Sequence, residues 1–235
     1  MRLVVESLKV IRGSRPVICG VSATVAGGEA LLLTGPNGAG KTTLIRTLAG
    51  FLEPASGAVR LEGGDGEREI AQQCHYVGHA NGTKSNLTVA ENLAFWARCL
   101  AAGSETSSIA GRVAAALAGL GLEPLAGIRA GYLSAGQRRR AGLARVLVAD
   151  RPLWLLDEPT ASLDAASAVL VAGLIKAHVA AGGIVVAATH VPLGIDGARY
   201  LRLGATAEGA ASPSPNAPPS SIMPPARGGG GKAVR

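Results

Sequence analysis

The stretch Gly35-Pro36-Asn37-Gly38-Ala39-Gly40-Lys41-Thr42-Thr43 has the residue types and spacing to hold phosphate. It matches the pattern G-x-x-x-x-G-K-T over Gly35–Thr42. Its glycines let the backbone curl so that several N–H groups face one concavity, and a helix N-terminus adds partial positive charge. Lys41 can reach β- and γ-phosphates, and the Thr42 hydroxyl can ligand Mg²⁺. Asp157 and Glu158 close the apolar run Leu153-Trp154-Leu155-Leu156. The first acid can join the Mg²⁺ shell, and the second is placed to polarise water for attack on a γ-phosphate. Ser134 and Gln137 form a capping box that opens a helix, with Gly136 small enough for a phosphate to approach the backbone. Thr160-Ala161-Ser162-Leu163-Asp164 follows the acids. His190 ends the last apolar run and can reach the same γ-phosphate.

These groups need elements to position them. Ala30-Leu31-Leu32-Leu33 reads as a buried strand before the loop, and Leu44, Ile45 and Leu48 as one face of a helix after it, ended by Gly50. Residues 2–12 read as a first strand, Arg12–Arg15 as a turn, and Val17–Val25 as a second strand with turns around Gly20 and Gly27-Gly28. Ala58–Glu62 and Gln73–Val77 read as further strands, with an exposed loop at Gly63–Gly66 between them. Thr88-Val89-Ala90-Glu91 is another capping box. Val89, Leu93, Trp96 and Leu100 form one helical stripe, and Ile109, Val113, Leu117 and Leu120 a second, closed by Gly121. Ala165–Ala181 reads as a helix, Ile184–Ala188 as a buried strand and Arg199–Leu203 as an edge strand.

Strands alternating with helices indicate an α/β fold with a parallel core sheet, whose active groups gather at the strands' carboxyl ends. The expected division is a phosphate-loop domain over 1–204, with a core of about 1–79 and 146–204 and a helical subdomain of about 80–145. Residues 205–235 are rich in Pro, Ala, Ser and Gly and are expected to form a disordered tail.

The 235-residue chain is 48% hydrophobic, with a formal net charge of +7 and only 3% aromatic residues. Its mean hydropathy is +0.29. No run approaches the roughly 18 apolar residues that span a bilayer. No signal peptide is visible, which predicts a cytosolic location. The basic balance favours an anionic membrane face as neighbour over nucleic acid, because stacking aromatics are scarce. The one tight cluster of charge is Arg138-Arg139-Arg140. Cys19, Cys74 and Cys99 have no metal-like spacing and read as reduced thiols. Cys74 and His75, adjacent on a strand, would point to opposite faces, which argues against a haem-ligand pair.

The phosphate loop, Leu133–Gln137, Leu155–Pro159, Ser162–Asp164 and Thr189-His190 occur in an order and spacing that resemble the nucleotide-binding subunits of ABC transporters. The resemblance covers residues 2–204 and implies an ABC-type P-loop fold. That fold has a RecA-like core, an N-terminal antiparallel β subdomain and a helical subdomain. It implies ATP and Mg²⁺ as cofactors, and a homodimer in which Ser134, Gly136 and Gln137 contact the γ-phosphate held by the partner. Glu158 would then be the base, His190 would hold the γ-phosphate and attacking water, and Asp164 would couple the two sites. Two positions depart from the usual pattern. His79 stands where glutamine is usual, and can bond water or touch the metal shell. Arg12 stands where an aromatic usually stacks on adenine, and its guanidinium can also stack on a base.

Tyr76–His79, Lys84, Leu87–Val89, Glu91–Trp96, Ser134–Arg140, Leu153–Pro159 and Thr189–Leu193 are similar to the haem exporter ATP-binding subunits of cytochrome c maturation. His79 and Arg12 fit that subfamily. This resemblance implies a peripheral protein on the cytoplasmic face of the inner membrane, paired with integral permease subunits. The complex, rather than this chain directly, would deliver haem to a periplasmic chaperone. An ABC transporter of lipids, drugs or metals is the alternative. A soluble ABC-type ATPase of nucleic acid or the ribosome usually carries two cassettes or long coiled-coil insertions, and this sequence shows neither. Lys41, Asp157, Glu158 and His190 argue against a module that binds ATP without hydrolysis.

Overall fold

The computed structural model describes residues 1–100 and 108–204. Among the described residues, eight strands form two sheets. Strands β1 (Arg2–Arg12), β2 (Arg15–Ala26) and β4 (Ser56–Glu62) make an antiparallel sheet of order β2-β1-β4. Strands β3 (Ala30–Thr34), β5 (Cys74–Val77), β6 (Leu153–Asp157), β7 (Ile184–Ala188) and β8 (Arg199–Arg202) make a sheet of order β5-β6-β7-β3-β8. Every pairing in this second sheet is parallel, as the alternation of strands and helices requires. β8 lies at its edge, as its alternating pattern predicts.

Alternation sorts the apolar runs of the parallel sheet onto two faces. On one face Leu31, Leu33, Leu153, Leu155, Ile184 and Val186 pack with Leu44, Ile45 and Leu48 of helix α1 (Lys41–Leu48) and with Leu3, Leu8, Ile18 and Val25 of the antiparallel sheet. On the other, Leu32, Trp154, Leu156, Val185 and Ala187 pack with the remaining long helices. Those are α3 (Val89–Leu100), α4 (Ile109–Gly119), α5 (Ala135–Ala144) and α6 (Ala165–Ala180). Full burial on both faces explains why β3, β6 and β7 read as unbroken apolar runs rather than alternating ones.

Both capping boxes form. Thr88 Oγ1 accepts from Glu91 N at 3.1 Å while Glu91 Oε2 accepts from Thr88 N at 2.8 Å. Ser134 and Gln137 close the same reciprocal pair at the start of α5. The α5 N-terminus is therefore capped by its own side chains.

Two local features differ from the sequence reading. β2 runs through Gly20 without a turn: Val21 pairs with Leu8 and Ile18 with Val10, so Cys19 and Gly20 stand opposite the single residue Lys9. The extra residue is taken up as a bulge, and Gly20 adopts a φ of 66°. The one-turn helix α2 (Ile70–Gln73) had no periodic signal to announce it. It is held by a Glu69–Gln72 capping box. The Pro- and Gly-rich tail lies outside the described residues.

Candidate active site

The phosphate loop joins β3 to α1 at the carboxyl end of the parallel sheet. Gly35 has a φ of 128°, and a Cβ there would lie 2.3 Å from the Leu203 carbonyl oxygen. Gly40, at φ 96°, would place a Cβ 2.8 Å from Ile18 Cδ1. At Gly35 backbone conformation and space both exclude a side chain, and at Gly40 the positive φ strains one. The Lys41 side chain is buried and folds back over the loop, its Nζ donating to the carbonyls of Gly35 at 2.7 Å and Pro36 at 3.0 Å. This fixes the ammonium over the concavity that the loop encloses.

β6 and β7 deliver the other groups. Asp157 is the last residue of β6 and is 5% exposed. Glu158 follows with a left-handed φ of 48°, and its N–H donates to Ala188 O at 2.9 Å. His190 lies just beyond β7, with Nε2 at 3.3 Å from Glu158 Oε1. The turn before it is fixed by the Thr189 hydroxyl, which donates to Val191 O at 2.7 Å and accepts from Val191 N at 3.0 Å. One cleft of about 260 Å³ brings together Asn37, Gly38, Gly40, Lys41, Thr42 and Thr43 with Asp157, Glu158 and His190, and Val17 of β2 closes one side. The sequence-predicted groups thus converge from three separate segments. An ammonium, glycine-loop amides, a hydroxyl and two carboxylates in one cleft suit a nucleoside triphosphate with a hard divalent cation. Thr42 and Asp157 supply the oxygen donors such a cation prefers.

The remaining predicted residues lie outside this cleft. Arg12 is exposed at the tip of the β1–β2 hairpin, directly opposite Arg15. His79 is exposed two residues past the end of β5. Ser134, Gly136 and Gln137 open α5, where a Cβ on Gly136 would lie 3.0 Å from Ser162 O. Asp164 caps α6, accepting from Ser167 N at 2.7 Å. That hydrogen bond holds its carboxyl below the usual range. The start of α5 thus lies against the Ser162 turn that leads into Asp164.

The Arg138-Arg139-Arg140 cluster turns inward. Arg138 donates to the carbonyls of Ala130, Gly131 and Leu133, and Arg140 to those of Leu120 and Gly121. Arg139 is 4% exposed. It donates to Asp157 O at 2.7 Å, Glu158 O at 2.6 Å, Pro159 O at 3.4 Å, Gly78 O at 2.7 Å and Asn81 Oδ1 at 3.1 Å. Sequence reasoning missed this residue, since a run of three arginines reads as a solvated basic face. Asn92 was missed too. Buried in α3, it bonds Lys84 N and the carbonyls of Lys84, Leu87 and Thr88, and so fixes the loop before that helix. Cys74 and His75 do point to opposite faces: Cys74 joins the α1-side core, and His75 Nε2 lies 2.7 Å from Ala149 O.

Comparison with known proteins agrees with this geometry. The ABC transporter family model matches residues 18–161. The cytochrome c biogenesis ATP-binding export protein CcmA of Nitrobacter winogradskyi is 49% identical over 207 residues, covering 88% of this chain and 100% of that protein. Its counterpart from Rhizobium meliloti is 52% identical over 204 residues, covering 86% and 98%. Among solved structures, the ATP-binding subunit of an ABC transporter superposes with a TM-score of 0.75 at 24% identity, covering 86% of each chain. A dimeric ATP-binding cassette in a post-hydrolysis state, bound to ADP and phosphate, superposes with a TM-score of 0.73 at 23% identity, covering 86% of this chain and 94% of that one. The chain belongs to the ABC transporter ATPase family, among the cytochrome c biogenesis ATP-binding export proteins.

Proposed function

We propose that this chain is the ATP-hydrolysing subunit of a membrane complex that delivers haem for c-type cytochrome biogenesis. The observation that carries the ATPase is the single cleft joining Lys41, Thr42, Asp157, Glu158 and His190. The haem assignment rests on the near-50% identity to cytochrome c biogenesis relatives along almost their whole length. The loop amides from Gly35 to Thr43 and the Lys41 ammonium hold the β- and γ-phosphates. Thr42 and Asp157 would hold Mg²⁺, which would neutralise phosphate charge, and His79, two residues past β5, the strand paired with β6, would join its water shell. Glu158 takes the proton of the attacking water. His190, 3.3 Å from it, orients that carboxylate and contacts the γ-phosphate. Arg12 stacks on the base from the hairpin tip.

Ser134, Gly136 and Gln137 lie outside the chain's own cleft, as residues serving the nucleotide of a second copy should. Two chains then enclose two nucleotides head to tail, and Asp164, just past the Ser162 turn, links the sites. Hydrolysis reopens the pair and moves the attached permease subunits. Among the described residues no helix is long and apolar enough to cross a membrane. In this reading the chain attaches peripherally, at the cytoplasmic face, through those subunits.

The test is made in cells. The native copy is replaced by Glu158→Gln, and c-type and b-type cytochromes are compared. Loss of c-type with b-type retained is the expected result. Normal c-type levels would remove haem maturation as the function.

A further inference from the structure

We infer that Arg139 is a positioning residue for hydrolysis, holding the peptide of Glu158, and through it the direction of the Glu158 carboxylate, from helix α5. The inference rests on the reading of Glu158 as base.

Arg139 is one of the few charged side chains in the interior. Burying a guanidinium is costly, and apolar packing would fill the same space at lower cost. What the charge supplies here is geometry. An arginine has five N–H bonds in a rigid fork. Its nitrogens reach five acceptors, three of them the consecutive carbonyls of Asp157, Glu158 and Pro159. The others, Gly78 O and Asn81 Oδ1, flank His79 on the segment after β5. None of the five is a carboxylate, so the contact is aimed at backbone rather than at neutralising an acid. Burial lowers the guanidinium's pKa, while the charges of Asp157 and Glu158 act to raise it.

The Glu158 peptide needs such a hold. Its φ of 48° is strained for a residue with a side chain, and that φ sets where the carboxylate points. The N–H on one side is held by Ala188 O at 2.9 Å. The carbonyl on the other is held by Arg139 at 2.6 Å and by Ala161 N at 3.1 Å. Arg139 lies two residues after Gln137 on α5. The helix that presents Ser134 to a second nucleotide is thus bonded directly to the base of its own chain.

The test is steady-state ATP hydrolysis and nucleotide affinity on the full chain with Arg139→Lys, Arg139→Met, Glu158→Gln and the double variant Arg139→Lys/Glu158→Gln. A lysine keeps the charge but offers its donors from one point, so it cannot span both segments. The expected result is ATP affinity and KM close to wild type with kcat lowered about a hundred-fold, the scale of a misplaced catalytic group. In the Glu158→Gln background the lysine should cost less than about two-fold more, because both changes act on one group. Wild-type kcat in Arg139→Lys and Arg139→Met would overturn the inference. So would an equal loss in both backgrounds, or loss of ATP affinity or of the folded state in both Arg139 variants, which would make Arg139 a structural brace. If Glu158→Gln itself turns over ATP at the wild-type rate, the reading of Glu158 fails first and takes this inference with it.

Discussion

At Glu158 a strained backbone and a reactive carboxylate coincide. The residue sits at φ 48°, and a left-handed conformation costs a non-glycine residue about 1–2 kcal/mol. Glu158→Gln keeps the shape and the backbone bonds and removes the proton acceptor. ATP affinity should therefore hold while kcat falls by about 10²–10⁴, the range for a lost general base. Nucleotide titration and phosphate release check both halves, and wild-type turnover would exclude Glu158 as the base. Lys41→Ala should behave differently. It removes the ammonium now bonded to Gly35 and Pro36 carbonyls, and affinity itself should fall. Unchanged affinity would mean that the loop does not hold phosphate as described. Both residues were legible in the sequence because a short motif carries its own geometry. Arg139 was not: its acceptors lie 18 to 61 positions away, and only the fold brings them together.

The elements show the same divide. Capping boxes at Thr88 and Ser134 could be read directly, since partners three residues apart meet whenever a helix forms. Buried strands were legible from apolar runs. The Gly20 bulge was not, because whether a glycine turns or bulges depends on its partner strand. α5 also allows a stability test. Ser134→Ala removes the acceptor for Gln137 N and should cost about 1 kcal/mol. Urea unfolding of the single chain would show it as a lower midpoint with an unchanged slope. An unchanged midpoint would mean that Ser134 contributes nothing as a cap.

Across the whole molecule, buried histidine makes stability depend on pH. Burial pushes His75 down from 6.5 to about 3, and Arg151, Arg145 and His178 add smaller effects of the same sign. His178, stacked on Trp154 at 3.9 Å, is also lowered by burial. Above pH 6.5 both states of the chain hold His75 neutral. As pH falls from 6.5 toward 3, only the unfolded chain takes up the proton, so the folded state loses up to about 1.4 kcal/mol per pH unit. Urea midpoints at pH 7.5 and 5 should differ accordingly, and His75→Gln should flatten the slope. A slope that His75→Gln leaves unchanged would assign it to other groups.

The parallel sheet is a wall shared by two apolar compartments, and this sets the order in which the protein opens to solvent. Leu32 and Leu33, neighbours in β3, belong to different compartments, as do Trp154 and Leu155 in β6. Neither compartment can be emptied without baring one face of the same strands. Amides of β6 and β7, covered on both faces and paired on both edges, should exchange with deuterated solvent only on global unfolding. The β1–β2 tip at Arg12–Arg15, which has no such cover, should exchange through local fraying, far ahead of the wall.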